Sequence, residues 1–350
     1  MIAFVVTGGI GDAILGQPIP GKLKEMFGQD VVLYHQEGPI GQVVSHNFEV
    51  ASEMRYVNAW HSYRADEMVK IVDDPSCEMI VANTFFKTST VSSFFMPLTD
   101  EMRLKADEMN GLYISNLAKE IGVEKEQIKD IDPYQLMMYL GHCKNYYASF
   151  NRYGIDVGYE DIKLDIPEDA IERASEWIDK YGEYVVVHDS KFGDPECVIK
   201  QWSKDSWEEL VECINDRYGL PIIHFRSEDQ PLFDGCISST EVFGKQFDFY
   251  SILSFISQCK LYVGTDSWPQ HSAVCHQKPK YVILKGAAAM GWDGLDKYSV
   301  NIRRGDCQVC ECVSPDRTTC IFGKSGNVDC MQEIAVADVM CEIGDLNSAD

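Results

Sequence analysis

Four groups of residues have types and spacings suited to chemistry. The first is Gly8-Gly9-Ile10-Gly11-Asp12. Glycines after a buried strand let a backbone approach a ligand, and the following helix start offers amides to an anion. Gly9 and Gly11 fill two places of a dinucleotide fingerprint, but Ile14 takes the third, and no acidic residue closes the second strand near position 34. That weighs against nicotinamide chemistry. Asp12 at such a turn is either a general base for a hydroxyl or a helix cap. The second group is Lys200-Gln201-Trp202-Ser203-Lys204-Asp205. Lys200 follows a strand, where an ammonium meets phosphate or is merely solvated. Ser203 or Asp205 is suited to cap the next helix.

The third group runs from Val263 to Ala273. Thr265 and Ser267 offer hydroxyls, and the amides of 267–270, Pro269 excepted, complete a cradle for a diphosphate. Asp266 suits sugar hydroxyls. His271 is a phosphate donor or a core imidazole beneath the loop. The bland alternative is a plain strand-to-helix turn. The fourth group is Cys307-x-x-Cys310 with Cys312, Cys320 and Cys330. Cys307, Cys310, Cys320 and Cys330 suffice for one tetrahedral structural zinc, with free thiols or a disulfide as alternatives.

The elements that must position these groups are legible as apolar runs. Residues 2–7, 31–34, 78–83, 184–188, 220–225, 261–264 and 281–284 read as strands, with amphipathic helices at 170–181, 207–214 and 250–256. A helix is also expected from His271 to Cys275. Residues 100–155 read as helical, and 344–350 as a frayed end. Strand, glycine loop, helix and strand recur in two tandem halves, each Rossmann-like. The expected domains are 1–160, 161–330 with the Cys-rich segment 307–330, and a C-terminal helix and tail at 331–350.

Composition sets outer bounds. A chain of 350 residues more often divides than builds one core. Aromatics at 11% and recurrent apolar runs exclude wholesale disorder. No run reaches the ~18 apolar residues of a membrane span. Met1-Ile2-Ala3-Phe4 lacks a basic leader and reads as a strand, so the expected location is cytoplasmic, with most thiols reduced. The formal charge of −24 repels nucleic acid at long range.

Taken in order, "VTGGIGDAILGQP", "KQWSKDSWEELVECI", "LYVGTDSWPQHSAVCHQKP" and "CQVCEC…C…CMQEI" resemble the motif segments of the family 9 glycosyltransferases, the heptosyltransferase-like group. Ser203 stands where that family has proline, and Trp268 where it has glycine. An indole there narrows the sugar site or stacks on the sugar. The resemblance implies an α/β fold of GT-B type, two Rossmann-like domains facing across a cleft. It also implies inverting, metal-independent sugar transfer from a nucleotide-diphosphate sugar, with no cofactor needed for catalysis. By that resemblance Asp12 is the base on the acceptor hydroxyl, beside the loop glycines Gly9 and Gly11. Lys200 holds the diphosphate, Asp266 the sugar hydroxyls, Ser267 with nearby amides the phosphate, and His271 lies under the loop. The expected acceptor is a glycan core or similar molecule. Alternatives are a viral-type transferase acting on hydroxymethylated DNA bases, which the net charge disfavours, and a non-catalytic nucleotide-binding protein. A dehydrogenase is the third class.

Overall fold

A computed structural model describes residues 1–6, 9–35, 53–56, 71–87, 92–130, 146–189, 200–244, 248–274, 279–285, 299–304 and 329–346. They fall into two compact units, one through Asp165 and one from Ile166 onward.

In the first unit the opening run Ile-Ala-Phe-Val is buried on both faces and forms β1 (Ile2–Val5). Such a strand belongs inside a parallel sheet covered on both sides. Its neighbours are β2 (Val31–His35), β3 (Glu53–Tyr56), β4 (Met79–Lys87) and β5 (Ser92–Pro97), in the order β3-β2-β1-β4-β5. All pairs are parallel except β4 with β5. The chain passes from β1 to α1 (Ile10–Gly16) and α2 (Ile19–Phe27) before entering β2. The long helix α3 (Asp100–Ile121) is capped by Thr99, whose hydroxyl accepts the Met102 N–H at 3.3 Å. A short helix, α4 (Ala148–Arg152), follows later. The helical reading of 100–155 therefore holds for these segments, while 131–145 lie outside the described residues.

The second unit holds β6 (Val185–His188), β7 (Ile222–His224), β8 (Ile237–Ser238), β9 (Leu261–Thr265), β10 (Lys280–Lys285) and β11 (Val300–Arg303). Their order is β11-β10-β9-β6-β7-β8, and every pair is parallel. Numbered from β6, this is the 3-2-1-4-5-6 order of a doubly wound sheet. Alternate residues feed two cores. Val185, Val187, Leu261, Val263, Val282 and Leu284 face one, and Tyr184, Val186, Tyr262, Tyr281 and Ile283 face the other. The covering helices are α5 (Glu168–Tyr181), α6 (Lys204–Tyr218), α7 (Ser239–Phe243), α8 (Phe249–Ile256), α9 (Trp268–His271), α10 (Asp329–Gln332) and α11 (Val336–Ile343).

Ser203, one of the two expected caps, starts α6 by accepting the Ser206 N–H at 3.0 Å. Val336, Val339 and Ile343 of α11 pack with Trp207 and Leu210 of α6. The C-terminal helix is thus part of the second unit's core. The helix expected from His271 begins earlier, at Trp268, because Ser267 is its N-cap and Pro269 fits its first turn.

Candidate functional site

Ligands of doubly wound sheets bind beyond the carboxyl ends of the strands, where the strand order reverses. In the second unit that point lies between β6 and β9. The residues leaving those two strands are His188-Asp189 and Thr265-Asp266-Ser267, and they interlock. The His188 ring stacks obliquely near Phe225, and its Nδ1 lies 2.6 Å from the Phe225 carbonyl. A carbonyl only accepts, so Nδ1 carries the proton and Nε2 is left as the acceptor. The Ser267 hydroxyl, 3.3 Å from that Nε2, therefore donates to His188. Toward a phosphate, Ser267 then has its backbone N–H to offer instead of its hydroxyl proton.

Asp189 is fully buried. Its carboxylate accepts from the Trp207 indole N–H at 2.9 Å, the Trp202 N–H at 3.4 Å and the Thr265 hydroxyl at 3.5 Å. Thr265 therefore braces the two strand ends together, and it is fully buried as well.

Asp266 is the electrostatic centre of the group. Lys200 donates to Oδ2 at 2.7 Å, and the Gln270 amide donates to Oδ1. Burial alone would raise this carboxyl. The Lys200 and Lys285 ammoniums, the Lys200 hydrogen bond and the His271 ring outweigh it and hold the group well below the usual carboxylate range. His271 is buried, and burial first, then the two lysines, push its imidazole down to about 4 against the pull of Asp266. His188 is also pushed down to about 4, by burial. Both rings are neutral near pH 7. Trp268, expected to stack on a sugar or narrow its site, packs its indole against Phe249 and Phe225 at centroid distances of 5.3 and 5.9 Å.

The first unit offers Asp12. It occupies the third position of α1, and its carboxylate accepts the Gly9 N–H at 2.8 Å. The N-cap is Gly9, so the cap reading of Asp12 is corrected to the reciprocal half of a capping box. Gly11 lies in the same first turn. The buried Asn83 of β4 donates to the Asp12 carbonyl at 2.9 Å, and Tyr146 donates to the Asn83 carbonyl at 2.7 Å. Burial raises the Tyr146 phenol well above its ordinary value, and the Asp12 charge adds to the rise.

No protein-family profile and no curated protein sequence matches the chain. Solved structures do. The glycosyl transferase family 9 protein from Veillonella parvula DSM 2008 superposes with a TM-score of 0.58 at 14% identity, covering 99% of this chain and 96% of that one. The E. coli ADP-heptose lps heptosyltransferase II gives 0.52 at 12% identity over 99% and 98%. The E. coli heptosyltransferase WaaC, solved with ADP, gives 0.50 at 12% identity over 99% and 100%. The fold is that of the family 9 glycosyltransferases. It is the α/β, GT-B-type fold that the four sequence segments implied.

Within the family 9 fold, Lys200, Thr265, Asp266, Ser267 and His271 come together at one strand-end cluster, and Asp12, Gly9 and Gly11 at another. Sequence reasoning missed His188, Asp189, Gln270 and Lys285. For His188, Asp189 and Lys285 the available signal was a polar or charged residue at the end of an apolar strand run, whereas Gln270 sits inside α9. Cys307, Cys310 and Cys320 lie outside the described residues. Cys330 is buried in the core beside α6 and α11. Among the described residues no group of His, Cys, Asp and Glu is placed to hold a metal, and no helix is long and apolar enough to cross a membrane.

Proposed function

We propose that this chain is a glycosyltransferase that moves a sugar from a nucleotide-diphosphate sugar to an acceptor hydroxyl, with inversion. The observation that carries the reading is the strand-end cluster around Asp266. The resemblance assigns the donor diphosphate to that loop, and two ammoniums and a backbone amide gather there. The ADP bound to the heptosyltransferase WaaC supports a nucleoside diphosphate as the shared ligand class.

In this reading the acceptor oxygen attacks the anomeric carbon. The bond from that carbon to the diphosphate oxygen breaks, and the electron pair leaves with the diphosphate. Lys200 stabilises the departing charge, which is the term a metal supplies in other transferases. Asp12 takes the acceptor proton. Asp266 with Gln270 would meet the sugar hydroxyls at the edge of the Lys200 pair. The acceptor is a glycan core or a similar hydroxyl-bearing molecule, and the compartment is the cytoplasm.

The deciding experiment is a thermal-shift comparison of ADP, UDP and GDP with NAD. A nucleoside diphosphate at about 100 times its dissociation constant adds about 2.7 kcal/mol to stability. Stabilisation by NAD alone would overturn the reading. Donor hydrolysis that rises on adding hydroxymethylated DNA and collapses with salt would shift the acceptor to DNA.

A further inference from the structure

One buried carboxylate here has two lysines. Lys200 reaches Asp266 by an ion pair of 2.7 Å. The second lysine comes from β10. The parallel register pairs Leu284 with Thr265, so one further step along both strands sets Lys285 beside Asp266. Lys285 is fully buried, and its charge is felt at both Asp266 and His271. Strand alternation gives it the same face as Tyr281 and Ile283, which packs against Tyr262 and Phe255. An ammonium in such surroundings has lost its water, and only a close anion offsets that loss. Lys200 is different. Its side chain keeps 17% of its surface exposed, against 6% for Asp266, so it has room to turn outward.

We propose that Lys285 is the standing counter-ion of Asp266, and that it frees Lys200 to grip a diphosphate without stranding a bare carboxylate in the protein interior. The diphosphate half rests on the donor-site reading above. Lys285 is a positioning residue in this scheme and does not touch the ligand. In a chain with Lys200 alone, every hydrogen bond Lys200 gave to phosphate would be taken from a buried anion. With Lys285 in place the carboxylate stays paired and ionised throughout, and Lys200 moves at little cost.

Two measurements test it. The first uses no ligand. Thermal unfolding is followed for K200M, K285M and K200M/K285M. Each single variant leaves one counter-ion, so the double variant should lose more than the sum of the singles, and adding D266N should return most of that loss. Additive losses overturn the counter-ion role. Should K285M fail to fold alone, D266N/K285M, which removes both charges, must restore the fold, and its failure to do so also overturns the proposal. The second measurement is calorimetric titration with ADP, UDP and GDP. Wild type should bind at least one, K285M should bind it about tenfold or more weakly, and D266N/K285M should regain most of the affinity because nothing then holds Lys200 back. A double variant as weak as K285M would show direct contact with phosphate and overturn the proposal. If wild type binds no diphosphate, the donor-site reading fails and takes the diphosphate half with it, whereas the unfolding series still judges the pairing of Lys285 with Asp266.

Discussion

At the scale of single residues, Asp12 has one observed role and one proposed role, which substitution can separate. Its carboxylate accepts the Gly9 N–H, which is structural work. A base must instead accept a proton from the acceptor. Asp12→Asn keeps an oxygen for Gly9 but has no basicity, so it should stay folded while donor turnover falls by about 10²–10⁴. Release of nucleoside diphosphate from a nucleotide sugar measures this, and turnover within about tenfold of wild type would leave Asp12 as a helix-start residue only. Asp12 was readable from sequence because the glycines just before it, after an apolar run, marked a strand-to-helix turn. Lys285 was not. It ends the run Tyr-Val-Ile-Leu, where a charge normally marks the return to solvent. Its buried place comes from the register of β10 on β9, which no local pattern encodes.

At the scale of elements, β9 shows how closely the site loop is bound to the strand beneath it. Tyr262 and Gly264 share a face, and a Cβ at 264 would fall on the Tyr262 hydroxyl and ring. The aromatic ring is buried in the core, so it has little freedom to yield. Gly264→Ala should cost about 1–3 kcal/mol by overpacking and should disturb the loop one residue later. Chemical denaturation of the variant checks the first effect, and weaker diphosphate binding the second. The central strands were legible because both faces of a parallel sheet are apolar, which leaves unbroken Val, Ile and Leu runs. The edge strands β3, β8 and β11 were not. They are four, two and four residues long, too short for a period to show. β5 was hidden differently, as an antiparallel edge ending at Pro97.

At the scale of the whole molecule, buried histidines tie stability to pH. His188 and His271 are held down to about 4 and His224 to about 3, chiefly by burial. In the unfolded chain each takes a proton near pH 6.5. Their neutral forms therefore favour the fold fully above about 6.5, and that contribution is lost as pH falls toward the folded values, at about 1.4 kcal/mol per unit of depression. Asp266, depressed in the fold, adds a further loss below about pH 4, where the unfolded carboxyl protonates. The midpoint of thermal unfolding should thus drop between pH 6.5 and 4.5, and His188→Asn should flatten part of that drop. An unchanged slope would count against a neutral, buried His188. The tandem pattern of two sheets was visible in the sequence because each half repeats strand, polar loop and helix. The interlock of β6 with β9 was not, since His188 and Ser267 stand far apart in the chain and meet only through strand order.

The indoles of Trp202 and Trp207 lie edge to face at 5.1 Å, and each gives its N–H to a fixed acceptor, the Ile334 carbonyl and the Asp189 carboxylate. Trp202 follows Lys200 by one intervening residue. That lysine and a chromophore embedded in the interior therefore share one short stretch of backbone. If Lys200 engages a diphosphate as proposed, tryptophan emission should change on adding the nucleotide, so ligand arrival could be followed in real time without a dye.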